Sequence, residues 1–185
     1  MKMNKFMLAA AMTFATVSLA HAEDATPGAA AGSQGSGQLS FSGSIADAPC
    51  SIKSESTRQD INLGAISKAL LAKADGHSTP AQVNIKLENC ELAKDKNGVT
   101  ITFSGAANDT DDSMLGLAGN ASDAGIVFVD NKGQKIKLGE ASQPTKLVGS
   151  DSTLSFSAYV QQTKATPSIV PGDFTAVANF QLAYQ

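Results

Sequence analysis

Residues 174–184, FTAVANFQLAY, decide the fold of this chain. Apolar side chains occupy every second position, which is typical of a β-strand that turns one face toward a core. The positions on that face are Phe174, Ala176, Ala178, Phe180, Leu182 and Tyr184. Only Gln185 follows this segment, so we expect no further strand of the same chain to cover its neighbourhood.

Other short apolar or alternating segments are spread along the chain and are mostly separated by turn residues. They are residues 61–63, 83–87, 99–103, 126–129, 136–138 and 154–160. Only residues 67–74 predict a helix, with Ser67 as its N-cap and Gly76 as its stop. The pattern predicts an all-β sandwich. A complete seven-stranded immunoglobulin-like sandwich would need one more strand after Tyr184.

A second strictly alternating segment, LSFSGSI, spans residues 39–45. It places Leu39, Phe41, Gly43 and Ile45 on one side of a predicted strand. The preceding residues 25–38 are rich in Gly, Ala and Ser and nearly free of large apolar side chains, so alone they are predicted to be disordered. From the segment alone, residues 39–45 are equally well explained as the first strand of a self-contained sandwich.

The first residues have the pattern of a secretory signal peptide. Lys2 and Lys5 precede an apolar run over residues 6–19, and Ala20-His21-Ala22 supplies the small residues of a cleavage site. The apolar run is shorter than the roughly twenty residues that a membrane-spanning helix needs. We predict a signal peptide over residues 1–22, an N-terminal extension over 23–46 and one domain over 47–185.

The two cysteines, Cys50 and Cys90, both follow the predicted cleavage site. An exported chain meets an oxidising compartment, where such a pair usually closes. We therefore predict one structural disulfide. Free thiols for metal or redox work would need a CxxC motif or further ligands, which the sequence lacks.

Composition and motifs exclude several functions. The chain has 17 acidic and 14 basic residues and no basic run, so nucleic acid and anionic lipid are poor candidates for partners. His77 lies in a polar loop, which argues against a catalytic triad. Residues 108–113 resemble a calcium loop, but Met114 and Asn120 stand where an EF-hand needs Gly and Glu. We predict that the chain is not an enzyme and binds no cofactor or metal.

Both ends of the chain resemble subunits of chaperone–usher fimbriae, especially the major rod pilins of the P-pilus and type 1 kind. Residues 37–45, followed by 48–52 (APCSI), are similar to the N-terminal extension and first strand of those pilins. Gly172, fourteenth from the C-terminus, and the penultimate Tyr184 match the C-terminal motif that periplasmic chaperones engage. Asn89-Cys90, about forty residues after the first cysteine, matches the disulfide spacing of the family.

The resemblance implies an incomplete immunoglobulin-like β-sandwich that lacks its last strand. A chaperone strand would fill the resulting groove in the periplasm, and the N-terminal arm of the next subunit would replace it at the outer-membrane usher. The implied donor strand consists of Leu39, Phe41, Gly43 and Ile45. The implied groove residues are Gly172, Phe174, Ala176, Ala178, Phe180, Leu182 and Tyr184.

The predicted function is therefore a structural subunit of an extracellular fimbria, exported through the periplasm, joined head to tail with copies of itself and supporting cell adhesion. The major rod subunit is the preferred interpretation. A minor or adaptor subunit shares both end motifs and stays open. A secreted carbohydrate-binding adhesin is a weaker alternative, because Trp is absent and aromatic residues make up 5% of the chain. A secreted hydrolase lacks a plausible base.

Overall fold

The structure, a computed structural model, describes residues 37–93, 97–163 and 168–185. The predicted signal peptide and most of the N-terminal extension, up to residue 36, lie outside the described residues. The chain divides into two units, Met1–Ser44 and Ile45–Gln185. In the first unit, residues 37–44 are exposed and form no strand. The elements described below belong to the second unit.

Ten strands and two short helices follow one another within the described residues. They are β1 (Ser51–Ile52), α1 (Ser54–Thr57), α2 (Lys68–Leu71), β2 (Ala81–Glu88), β3 (Gly98–Gly105), β4 (Ala118–Gly119), β5 (Ala124–Val129), β6 (Lys135–Ile136), β7 (Thr145–Lys146), β8 (Ser152–Gln162), β9 (Phe174–Thr175) and β10 (Ala178–Tyr184). No helix of the described residues is long and apolar enough to span a bilayer.

The larger sheet has five antiparallel strands in the order β1-β2-β8-β5-β6. Its longest strands pair so that apolar residues lie opposite one another, as in Ile85 with Leu154 and Val83 with Phe156. Such cross-strand apolar pairs stabilise a sheet when one face is covered. The prediction of strands over 83–87, 126–129, 136–138 and 154–160 is confirmed in β2, β5, β6 and β8, although β6 is shorter than predicted.

The smaller sheet has three antiparallel strands in the order β10-β3-β7, and β4 pairs with β9 in a separate ribbon. β3 confirms the predicted strand over residues 99–103. Its inward residues Val99, Ile101 and Phe103 are between 1% and 3% exposed. This sheet is the second layer of the fold.

Aromatic rings join the two sheets. Phe103 of β3 stacks on Phe128 of β5 with ring centroids 4.2 Å apart, and it meets Phe156 of β8 edge-on at 5.6 Å. Both arrangements are favourable for aromatic pairs and add to the burial of their apolar area. The main core therefore lies between the sheets, which confirms the predicted all-β sandwich.

The outer face of the larger sheet carries a second, smaller apolar cluster of Met114, Val127, Val129 and Tyr159. Every residue of β5 is buried. Leu115 forms β-bridges with Ala107 and with Ile126 of β5, so the chain around Leu115 lies beside this strand. A continuous apolar run such as 126–129 is typical of a strand that is covered on both faces.

Besides the shorter β6, three predicted elements of the unit Ile45–Gln185 differ from the structure. Residues 61–63 form no strand. Residues 174–184 are interrupted at Ala176 and Val177, because β9 pairs with β4 whereas β10 pairs with β3. The predicted helix over 67–74 is limited to Lys68–Leu71, and Ser67 makes no side-chain cap hydrogen bond. The four-residue helix α1 was not predicted.

Candidate functional site

The candidate site is an open edge of the smaller sheet. β10 pairs with β3 over seven residues, from Ala178 opposite Gly105 to Tyr184 opposite Val99. Within the described residues, no strand pairs with the other edge of β10. A free edge presents a row of unpaired N–H and C=O groups, which is a template for another strand.

The inward side chains of β10 are incompletely covered. Phe180, Leu182 and Tyr184 pack against the main core but remain partly exposed. Their cross-strand partners on the same face of β3, which are Phe103, Ile101 and Val99, are almost fully buried. The exposure of β10 therefore arises on its unpaired side, where an apolar groove is left open.

The phenol of Tyr184 lies at one end of this groove. Desolvation by burial raises its pKa above the ordinary value of a tyrosine. The neutral phenol is thus favoured at this position. Further burial of the ring by an inserted strand would favour the neutral form more strongly.

A cavity of about 470 Å³ adjoins the same end of the groove. Its lining residues are Asp47, Ala48, Pro49, Asn89, Glu91, Ala93 and Tyr184. The disulfide between Cys50 and Cys90, whose Cα atoms are 4.1 Å apart, holds the two segments of this lining together. The predicted disulfide is confirmed. Sequence reasoning missed the cavity, although the pairing of the cysteines already implied that residues 47–49 and 89–93 meet.

The other end of the predicted groove contains a close backbone approach. A Cβ atom on Gly172 would lie 2.8 Å from backbone atoms of Asn120 and Ala121. The N–H groups of these two residues donate to the carbonyl oxygen of Asp173 at 3.0 and 3.4 Å. Glycine at 172 therefore lets the β9 segment lie against the 120–121 segment. Phe174 and Ala176 are partly buried against the main core, whereas Ala178 is exposed.

The residues of the predicted donor strand are exposed. The side chains of Leu39, Phe41 and Ile45 are 82%, 88% and 105% exposed, and a Cβ atom on Gly43 would meet nothing within 4 Å. Contrary to the sequence prediction, residues 39–45 form no strand. The backbone groups of a strand need hydrogen-bond partners, and burial of its apolar face is favourable only when another element covers that face.

The other motifs considered in the sequence have local structural roles. The ring of His77 packs against Tyr159 with centroids 4.6 Å apart and ring planes tilted by 38°, and its Nδ1 lies 2.8 Å from the Ser78 carbonyl oxygen. In the acidic loop, the side-chain oxygen of Asn108 accepts from the N–H groups of Thr110 and Asp111. The side-chain oxygens of Asn108 and Asp111 thus accept hydrogen bonds from within the loop itself.

Comparison with known proteins identifies this arrangement. A family model described as fimbrial protein matches residues 39–185. The chain belongs to the fimbrial protein family. It is 46% identical over 185 residues to the Fimbria A protein of Serratia marcescens, with 100% of both chains covered.

Two solved structures resemble this fimbrial protein at 31% identity. One is a chaperone–usher pilus studied for the uncoiling of its rod, with a TM-score of 0.72 over 82% of this chain and 97% of that chain. The other is the P pilus rod subunit PapA, with a TM-score of 0.64 over 75% of this chain and 100% of that chain. The fold of this fimbrial protein is thus the immunoglobulin-like sandwich of chaperone–usher pilins.

Proposed function

We propose that this fimbrial protein is the major rod subunit of a surface fimbria of the chaperone–usher pathway and that it polymerises by donor-strand exchange. The observation that carries the proposal is the partly exposed inward face of β10 beside a free strand edge. The same chain contains an exposed alternating segment, Leu39–Ile45, of the kind that would fill this groove. The rod assignment is supported by the likeness to a P pilus rod subunit.

The arm and the groove match in length and in side-chain size. From Leu39 to Ile45 the arm spans the same number of residues as β10 from Tyr184 back to Ala178. In an antiparallel register, Gly43 lies opposite the large ring of Phe180 and Ile45 lies opposite the small side chain of Ala178. A parallel register would place Gly43 opposite Leu182 and Phe41 opposite Phe180, so the two phenylalanine rings would face each other and the glycine would no longer face the larger of the two side chains.

Insertion of the arm is strongly favourable, because it buries large apolar side chains. Burying Leu39, Phe41 and Ile45 stabilises the joint by about 1.5–3 kcal/mol for each side chain. Main-chain hydrogen bonds to the free edge of β10 add to this gain. Because one subunit's arm enters a different surface of the next subunit, the contact is heterologous and does not close, so the product is a filament.

A periplasmic chaperone and an outer-membrane usher are the partners that this scheme requires. An open apolar groove beside an unpaired edge is an aggregation hazard before the next subunit arrives. A chaperone strand would occupy it during passage through the periplasm, and the usher would exchange that strand for an arm. The signal-peptide pattern and the Cys50–Cys90 disulfide support export through an oxidising compartment.

The fibre lies outside the cell, and its subunits polymerise with one another. We assign the chain no catalytic activity, because filament formation by strand insertion makes and breaks no covalent bond. Groove residues therefore act by shape and by apolar contact. The function of the whole fibre in this proposal is to support adhesion of the cell.

Two matched substitutions in the arm test the proposal. Phe41→Asp places a charge on the face that enters the groove, whereas Ser42→Asp places the same charge on the opposite face. We expect cells that carry the cognate assembly genes to display fibres with Ser42→Asp and none with Phe41→Asp, as seen by electron microscopy. Normal fibres from Phe41→Asp would contradict the donor-strand role of residues 39–45.

A further inference from the structure

Two exposed valines lie at opposite ends of the smaller sheet. Val148 is 74% exposed and Val177 is 77% exposed. Leu147, next to Val148, donates its N–H to the Asn97 carbonyl oxygen at 2.7 Å, which places Val148 at the Gly98 end of β3. Val177 directly precedes Ala178, the partner of Gly105, at the other end of β3. Eight residues of β-strand separate these ends by about 24 Å.

The Val148 end is also the end from which the arm departs. Ser150 accepts a hydrogen bond from the N–H of Cys90 at 2.9 Å, and Cys90 is bonded to Cys50. Only residues 46–49 separate Ile45, the last side chain of the predicted donor strand, from Cys50. From Ile45 to Cys50 the fully extended chain covers at most about 18 Å. The body of a donor subunit therefore starts within this distance of the groove that holds its arm.

The direction of the arm decides which ends of two subunits meet. In the antiparallel register, Ile45 lies beside Ala178, so the donor's body lies beyond the Val177 end of the acceptor. In a parallel register, Ile45 would lie beside Tyr184, and both joints of every subunit would converge on its Cys50 end. Two neighbouring bodies would then compete for the same space, whereas joints at opposite ends allow the filament to continue.

We propose that residues 147–151 of each subunit, the Val148 loop, pack on residues 176–177 of the subunit that receives its arm. This contact joins the two bodies through Val148 and Val177 and supplements the inserted strand. It rests on the proposed donor-strand function. The partner is a second copy of this chain, and the proposed contact would bury both valines, which are 74% and 77% exposed in the single subunit.

Disulfide trapping in fibres tests the contact. Fibres of Val148→Cys/Val177→Cys are oxidised, fully denatured in detergent without reductant and separated by size. We expect a covalent ladder that extends beyond the dimer, since each subunit carries one half of two different contacts. Either single variant is expected to stay monomeric under the same treatment. Dimers from Val148→Cys alone would show that identical ends meet and would overturn the proposal.

A second measurement does not depend on introduced cysteines. Val148→Ser and Val177→Ser should each speed dissociation of fibres in denaturant by about tenfold, from the loss of one buried valine. The double variant should dissociate no faster than the faster single variant, because both substitutions remove the same contact. If the two substitutions multiplied each other's effect on the dissociation rate, the proposed contact between Val148 and Val177 would be contradicted. Arm-dependent fibres without a ladder would overturn this inference alone, whereas absence of arm-dependent fibres would overturn the proposed function as well.

Discussion

Phe180 lies directly opposite Phe103 in the β10–β3 pair, yet only Phe103 is fully buried. Phe103 is covered by Phe128 and Phe156 of the facing sheet, with centroids at 4.2 and 5.6 Å. Phe180 projects from the same face but has an open side where the next strand of a complete sandwich would lie. We propose that a strand from another molecule fills that place in the fibre.

The size of residue 43 should control assembly. In the proposed register Gly43 lies opposite Phe180, so Gly43→Leu should abolish fibres, because its side chain would overpack the groove. Gly37→Leu is the matched control, since a Cβ atom at either glycine meets nothing within 4 Å in the single subunit. Fibres are counted by electron microscopy. If Gly43→Leu formed as many fibres as Gly37→Leu, residue 43 would not lie in the groove of the next subunit.

The groove of the Gly43→Leu subunit should stay intact, because the substitution lies in its arm. We therefore expect the variant to bind a synthetic peptide of residues 37–46 as tightly as the wild-type subunit does. Loss of peptide binding in the variant would mean that Gly43 acts within its own subunit.

Alkaline pH should weaken the binding of an inserted arm in the groove, because Tyr184 ionises there. Burial raises the pKa of this phenol, and an inserted arm should raise it further. A raised pKa in the folded state favours the neutral phenol. The resulting stability is therefore fully present below the ordinary pKa of about 10 and is lost as the pH rises through the raised value.

The pKa of Tyr184 can be followed by the absorbance of tyrosinate, with and without the arm peptide. Tyr159 is the only other tyrosine of the chain, and its pKa is also raised by burial. We expect the peptide to shift the titration of Tyr159→Phe, in which Tyr184 remains, but not that of Tyr184→Phe. Identical curves for Tyr159→Phe with and without peptide would place Tyr184 outside the binding groove.

Much of the sandwich is predictable from the sequence, because apolar residues alternate clearly in β2, β3 and β8, and β5 contains a continuous apolar run. Two-residue strands such as β1, β4 and β7 leave no period to detect. The strand break at Ala176 and Val177 depends on which sheets β9 and β10 join, and this is a property of the tertiary fold. Alternation along 174–184 alone predicts one continuous strand.

The candidate site is predictable only in part. The alternation of Phe180, Leu182 and Tyr184 predicts a strand face, but its incomplete covering depends on distant strands. Residues 39–45 have the period of a strand and form none, since hydrogen bonds from a partner are needed to complete it. The close approach at Gly172 likewise depends on the 120–121 segment, some fifty residues away in sequence.

Removal of the disulfide should destabilise the domain substantially. Cys50 and Cys90 are 40 residues apart, and closing a loop of this length contributes about 4 kcal/mol in the chain-entropy model. The measurement is urea unfolding of an arm-completed chain, in which residues 23–46 are moved behind Gln185 through a Gly/Ser linker. Cys50→Ala/Cys90→Ala should lower its free energy of unfolding by about that amount. A loss below about 1 kcal/mol would contradict a structural role for the bond.

The most direct test of whether the sandwich needs an inserted arm compares this arm-completed chain with a chain that simply lacks residues 23–46. Size-exclusion chromatography and thermal unfolding give the oligomeric state and the stability of each. We expect the arm-completed chain to be a monomer with one cooperative transition, and the shortened chain to aggregate or to unfold at a much lower temperature. Phe41→Asp in the moved arm should abolish the increase in unfolding temperature that the arm gives. A shortened chain that is monomeric and unfolds at the same temperature as the arm-completed chain would contradict the account.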